Sequence, residues 1–405
     1  MLHTMKNLHS WLRFSVFSLF IVAVLGTIMR YKIAFSLPWI EQKNLQQSHS
    51  HFAFYGWITF VIYLLIVKYL REVRPNTNEK PYLWLIVSNL VASFGMLVAF
   101  IYGGYYWLSI AFSTMALLTS FAMAFVFAKD MRAVKDSSKK WFLAAFFFAV
   151  FSSLGVFTLS FMMATKNFSQ DVFLASEYFY LHFQYNGFFI FSCIGFLLHA
   201  IKRMGADIAQ KENNFIFWLS FIGCLVGYGL SVLWIKMPLW VFIAIVITTL
   251  MQTWGAYRLF QFVISKFSVI KEKWSPLLRF ILLYVGFAFA VKILLQLGSN
   301  IPAVNQFAFG FRNIVIAYLH LVLLMCVSAF LVGQILATGY FKESKSYLLG
   351  IKGFLLGVFL NELVLGLMGI FSIVYFSIPY TPEALFVISF FILSSALIMF
   401  LSMKK

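Results

Sequence analysis

The chain has 405 residues, of which 62% are apolar and only 11% charged, and 51 are phenylalanine. No soluble domain can hide that much apolar surface; helices hydrophobic on every side belong in lipid or in a deep core. The 31 Lys and Arg against 13 Asp and Glu would suggest nucleic acid in a soluble protein. Here they fall in short connections between apolar runs, where basic residues set membrane topology, so nucleic acid is excluded as a partner and the lipid bilayer is the first one named.

A bilayer-crossing helix needs about 20 mostly apolar residues. Stretches of that kind run over 11–30, 51–70, 82–102, 105–128, 141–164, 177–200, 214–235, 238–260, 276–297, 313–337, 347–374 and 383–402. They predict about twelve spans in an all-α integral membrane protein, as one polytopic domain over residues 1–405. Lys6 and Arg13 ahead of the first apolar run resemble a signal peptide, but the run reaches Met29 with no small-residue cleavage site and meets Arg30-Tyr31-Lys32. It reads as an uncleaved first span. Gly103-Gly104 must turn tightly between the third and fourth spans, and Lys236-Met237-Pro238 separates the seventh from the eighth.

Orientation follows from the basic residues. The N-terminus, the connections after the even-numbered spans and the C-terminus carry 23 Lys and Arg, while the connections after the odd-numbered spans carry 6. Positive charge is retained on the inner side. Both termini are therefore expected in the cytoplasm, with the protein in a bacterial inner membrane.

The second span opens on Gln46-Gln47-Ser48-His49-Ser50-His51-Phe52-Ala53-Phe54-Tyr55-Gly56. His51-Phe-Ala-Phe-Tyr-Gly56 is echoed by His182-Phe-Gln-Tyr-Asn-Gly187, and Tyr180-Leu181-His182 by Tyr318-Leu319-His320. The three histidines fall in the second, sixth and tenth spans, four spans apart. That predicts a pseudo-threefold arrangement of four-helix units, roughly 11–128, 141–260 and 276–402, with His51, His182 and His320 in the first turn or two on the outer side. His199, at the far end of the sixth span, belongs to another layer.

Ionisable or metal-capable side chains are costly in lipid and normally face a protein interior or cavity. Neutral imidazole is the commonest metal ligand and a haem axial ligand. His49 and His51 differ by roughly 200° around a helix and so face different neighbours. Around His182, Tyr178, Tyr185 and Asn186 form a polar stripe that can line a cavity, orient a ligating imidazole or glue two helices together. Lys292 and Glu362, inside the ninth and eleventh spans, are candidates for a proton path, a carboxylate partner or an ion pair between the two helices. Cys193, Cys224 and Cys326 lie within apolar runs with no paired spacing and read as small core residues. The sequence holds no Gly-rich phosphate loop, no Ser/His/Asp set and no Glu-x-x-His, which excludes ATP-driven and hydrolytic classes.

Twelve spans, inward termini and histidines in the second, sixth and tenth spans resemble subunit I of the haem-copper oxidases and the related nitric oxide reductase large subunits. His49-x-His51-x-x-x-Tyr55-Gly56 is similar to a string in those reductases and in the NnrS-type haem- and copper-containing membrane proteins linked to nitric oxide stress. The resemblance implies His51 or His49, together with His320, as haem ligands, and His182 as a ligand of a second metal, copper or iron. Three departures limit it. The seventh span has no histidine, the tenth has His320 alone, and Asn186 stands where oxidases with a cross-linked tyrosine have that tyrosine. Full oxygen reduction is not expected; the implied function is haem or metal binding in electron transfer or nitric oxide handling or sensing, beside a respiratory or electron-transfer partner. The other reading from the residues is a cofactor-free proton, ion or small-solute transporter using the buried His, Lys and Glu set.

Overall fold

The computed structural model describes residues 7–404; Lys6 and Lys405, both counted for orientation, lie outside that range. Each expected span is a helix long and apolar enough to cross a membrane: α1 (Leu8–Phe35), α2 (Gln42–Val73), α3 (Lys80–Gly103), α4 (Trp107–Asp130), α5 (Lys139–Thr165), α6 (Gln170–Arg203), α7 (Gln210–Val232), α8 (Leu239–Ser265), α9 (Pro276–Gly298), α10 (Arg312–Ala337), α11 (Lys345–Ile373) and α12 (Thr381–Ser402). Short helices cover Phe267–Lys273 and Pro302–Gly310, and there is no strand among the described residues. The chain is an all-α integral membrane protein. Its expected turn is in place: Gly104 closes α3 at φ +62°, a left-handed geometry that glycine adopts without strain.

Two compact units divide the chain, Met1–Arg132 with Leu331–Lys405, and Ala133–Phe330. In the first, α1 and α11 both pack along α12, α3 pairs with α4, and α2 lies against α1 and α3. Lipid supplies no hydrophobic drive for such pairing, so close contact between small residues does the holding. On α11, a Cβ at Gly350 would stand 2.8 Å from the Met399 backbone nitrogen, and one at Gly357 only 2.7 Å from Ile392 on α12. In the second unit α7 pairs with α8, α5 with α6, and α9 with both α8 and the middle of α10. α5 is interrupted at Ser152, where Gln184 of α6 donates to the serine hydroxyl at 2.9 Å.

Two of the three helices that carry the echoed histidines, α2 and α6, are the ones most enclosed. In the most apolar 18 residues of α2 and α6, 83% and 94% are buried, against half or less in every other spanning helix. Both also begin well before the apolar run. His51 and His182 fall 10 and 13 residues into their helices, about three turns and not the expected one or two, whereas His320 is the ninth residue of a helix that begins at Arg312, next to the expected start. The reason lies in the lead-ins, polar in α2 and mixed in α6. Gln42–Ser50 and Gln170–Glu177 are rich in residues that extend a helix readily, and the Ser169 hydroxyl caps α6 by accepting from the Val172 amide.

Each of the three helices changes its winding at the same place. A π turn covers Phe52–Thr59 in α2, Phe183–Phe189 in α6 and Leu321–Ser328 in α10, so each begins at the residue after a histidine. Such turns insert one extra residue into the helical ladder and are frequent at functional sites. Their recurrence behind His51, His182 and His320 is the physical form of the sequence echo.

Candidate functional site

In the first unit, the His51 ring lies over Phe100 with centroids 4.4 Å apart, and Nδ1 sits 2.9 Å from the Gln47 carbonyl one turn earlier. A carbonyl only accepts, so Nδ1 carries the proton and Nε2 keeps the lone pair. Nε2 meets the Tyr105 hydroxyl at 3.5 Å, at the limit of a hydrogen bond. His49 faces elsewhere, as the angular offset predicts. Its Cε1 would be 3.3 Å from a Cβ at Gly26 of α1, with the Val22 carbonyl and Arg30 of the same helix beside it. That edge is packed against another helix, and the buried Nδ1 of His49 has no hydrogen-bond partner. Glu362 on α11 accepts from the Asn361 amide at 3.0 Å and faces the Arg30 guanidinium.

The second unit holds the other two histidines. His320 repeats the His51 arrangement: Nδ1 donates to the carbonyl of Ile316, one turn earlier, at 2.8 Å, which makes Nε2 the acceptor atom. His182 is the reverse. Its Nε2 donates to the Cys224 carbonyl of α7 at 2.8 Å, and its Nδ1 accepts from the Asn186 amide at 3.1 Å. Regular winding of α7 stops at Gly227, and a 3₁₀ turn follows over Tyr228–Val232. The last carbonyls of a helix lack an intrahelical donor, and His182 satisfies one of them. The seventh span thus contributes a backbone carbonyl where the oxidase pattern has histidines.

Asn186 also lies within reach of the Tyr185 and Tyr318 hydroxyls, and those two rings meet edge to face at 6.2 Å. Tyr178 stands beside Tyr185. The predicted stripe is therefore assembled around His182, and it extends to Tyr318, which the sequence reading used only as part of the echo. The signal for Tyr318 was available: it sits two residues before His320, as Tyr180 does before His182. Lys292 of α9 is 1% exposed, donates to Gln296 at 2.8 Å, and faces His182, Cys224 and Cys326. Cys193, Cys224 and Cys326 are buried and unbridged, as expected of core residues.

Fit to a cofactor differs among the histidines. His51 and His320 hold their Nδ1 protons on backbone carbonyls, the support that fixes tautomer and ring orientation in ligating histidines. In both, Nε2 is the nitrogen whose lone pair a haem iron would take. His182 would have to give up one of two buried hydrogen bonds to bind a metal, so the role of second-metal ligand does not suit it as it stands. Among the described residues no group of three or more His, Cys, Asp or Glu could hold a metal ion. A copper centre of the oxidase type, with three histidines, does not fit this side-chain set.

Fold and site together define a polytopic helical membrane protein with a histidine ahead of a π turn in three of its helices. No protein-family model matches the sequence, and no curated protein is detectably similar to it.

Proposed function

We propose that the protein is a haem-binding integral membrane protein of electron transfer or nitric oxide handling, with His51 in the first unit and His320 in the second each offering an axial nitrogen, Nε2, to a haem. The observation that carries this reading is the shared tautomer: each ring gives its Nδ1 proton to the carbonyl four residues back. Each ring then stands at the start of a π turn. A bound haem would supply the one-electron or nitric oxide chemistry. The chain's own part is to hold the imidazoles neutral and oriented, with Phe100 fixing the His51 ring face. The basic-residue asymmetry supports a cytoplasmic placement of both termini; a bacterial inner membrane and a respiratory or electron-transfer partner are parts of the same proposal. The test is an absorption spectrum with metal analysis on protein purified from haem-replete cells. A Soret band with iron is the expected result; colourless, metal-free protein overturns the proposal.

One observation favours a second reading, a proton or ion path without cofactor. Lys292 is sealed beside His182 with an amide as its hydrogen-bond partner, an arrangement costly for a charge in lipid and characteristic of proton-carrying sites. It is tested by pH-dependent flux into vesicles holding the purified protein, abolished in Lys292→Met.

A further inference from the structure

We infer that a groove between the start of α7 and the end of α8 is a binding site for an anionic phospholipid. The groove encloses about 770 Å³, within the roughly 300–1,000 Å³ of small-molecule sites. One end is charged. Lys211 and Glu212, in the first turn of α7, and Arg258 of α8 line it together. Arg258 donates from a terminal nitrogen to Glu212 at 2.8 Å, and its guanidinium lies 5.9 Å from the Phe215 ring centroid. Its Nε, buried and with no hydrogen-bond partner, is a donor left over at the head of the groove.

The other end is apolar. Phe215, Trp218, Leu219 and Ile222 follow the i, i+3, i+4, i+7 spacing of one helical face, and Met251 closes the wall from α8. Phe215 and Trp218 are 43% and 56% exposed, so this face opens outward. Behind it α7 and α8 are held close: a Cβ at Gly223 would stand 2.6 Å from Gln252, and one at Gly255 only 3.1 Å from Leu219. That contact forms the floor.

Charge and depth select the occupant. Two cations and one carboxylate leave a single net positive charge, which complements a phosphodiester whose headgroup carries no cation of its own. Arg258 is seven residues from the end of α8, about 10 Å along the axis, near the boundary between headgroup and hydrocarbon. Lys202 and Arg203 precede α7 and Lys266 follows α8, which puts the groove on the basic, inward side. An anionic phosphate there meets Arg258 Nε and the Lys211 ammonium, while an acyl chain lies along Trp218 and Ile222. Arginine and phosphate pair through fixed, directional donors.

The experiment is native mass spectrometry of the full chain in mixed micelles of equimolar phosphatidylglycerol and phosphatidylcholine. The expected result is one phosphatidylglycerol retained per chain, with about a tenfold preference, the scale set by one to two basic side chains at a lipid surface. In Arg258→Gln/Lys211→Gln the preference falls to near one, while Lys271→Gln, outside the groove, keeps it. Equal retention of both lipids by the unaltered chain, no retained lipid, or an undiminished preference in the double variant overturns the inference. The unaltered chain decides the matter alone if the double variant does not fold. Haem content is not read in this assay, so its outcome is independent of the ligand roles of His51 and His320.

Discussion

His51 and His182 share a local design and differ in how their nitrogens are used. Both precede a π turn and both are followed five residues later by a glycine. His51 spends one nitrogen on its own helix and turns the other to a long contact with Tyr105. His182 spends both, one on a neighbouring residue of α6 and one on the broken end of α7. The same sequence pattern thus yields an imidazole bonded within its own helix, with one long outside contact, and an imidazole that braces two helices through both nitrogens. Two features outside the echo decide between them: a polar residue four positions on, Asn186 against Tyr55, and an unsatisfied carbonyl across the interface.

The largest stability effect expected from this comparison lies at the glycines. A Cβ at Gly187 would fall 2.4 Å from the Cβ of Phe148, an atom fixed to the α5 backbone, whereas one at Gly56 meets the ring edge of Phe52 at 2.6 Å. Gly187→Ala is expected to cost about 3 kcal/mol, and Gly56→Ala about 1 kcal/mol because a ring can swing. Thermal unfolding in detergent, read by helical circular dichroism, ranks the two; equal losses would show that the two close approaches are not different in kind.

Next comes the brace itself. Asn186→Leu leaves the His182 Nδ1 buried without a donor and is expected to cost roughly 1–3 kcal/mol, while removing both partners in His182→Leu/Asn186→Leu costs less than the two single changes together. Additive losses in that cycle would mean the bond contributes nothing. Lys292→Met removes a sealed ammonium and is expected to raise stability by about 1 kcal/mol, seen as a higher midpoint in the same melts. A drop would mean the charge has a structural partner that its bond to Gln296 does not represent. The smallest effect belongs to His51: Tyr105→Phe deletes only the 3.5 Å contact and is expected to change stability by no more than about 0.5 kcal/mol.

Much of this was legible in the sequence, and the exceptions have physical causes. The twelve spans are readable because lipid demands long apolar windows, and the turn at Gly103-Gly104 because few residues besides glycine take φ +62°. The separate neighbours of His49 and His51 follow from helix geometry alone. The three-turn depth of His51 was missed because Gln42–Ser50 is polar and shows no apolar periodicity, although its residues carry a helix well. The π turns were invisible because winding depends on packing around the helix. Tyr185 and Asn186 could be named as neighbours of His182, but its bond to the Cys224 carbonyl could not, because that acceptor exists only where α7 stops at Gly227. Lys292 and Glu362 each find a hydrogen-bond partner on their own helix, Gln296 and Asn361, a detail that apolar patterning does not encode.

The most direct measurement is the haem content per chain of the unaltered protein, His51→Ala and His182→Ala, each assayed as pyridine haemochrome after purification from haem-replete cells. The account expects at least one haem per chain in the unaltered protein, its loss in His51→Ala, and its retention in His182→Ala. Haem kept in His51→Ala but lost in His182→Ala, or absent from all three, would contradict it.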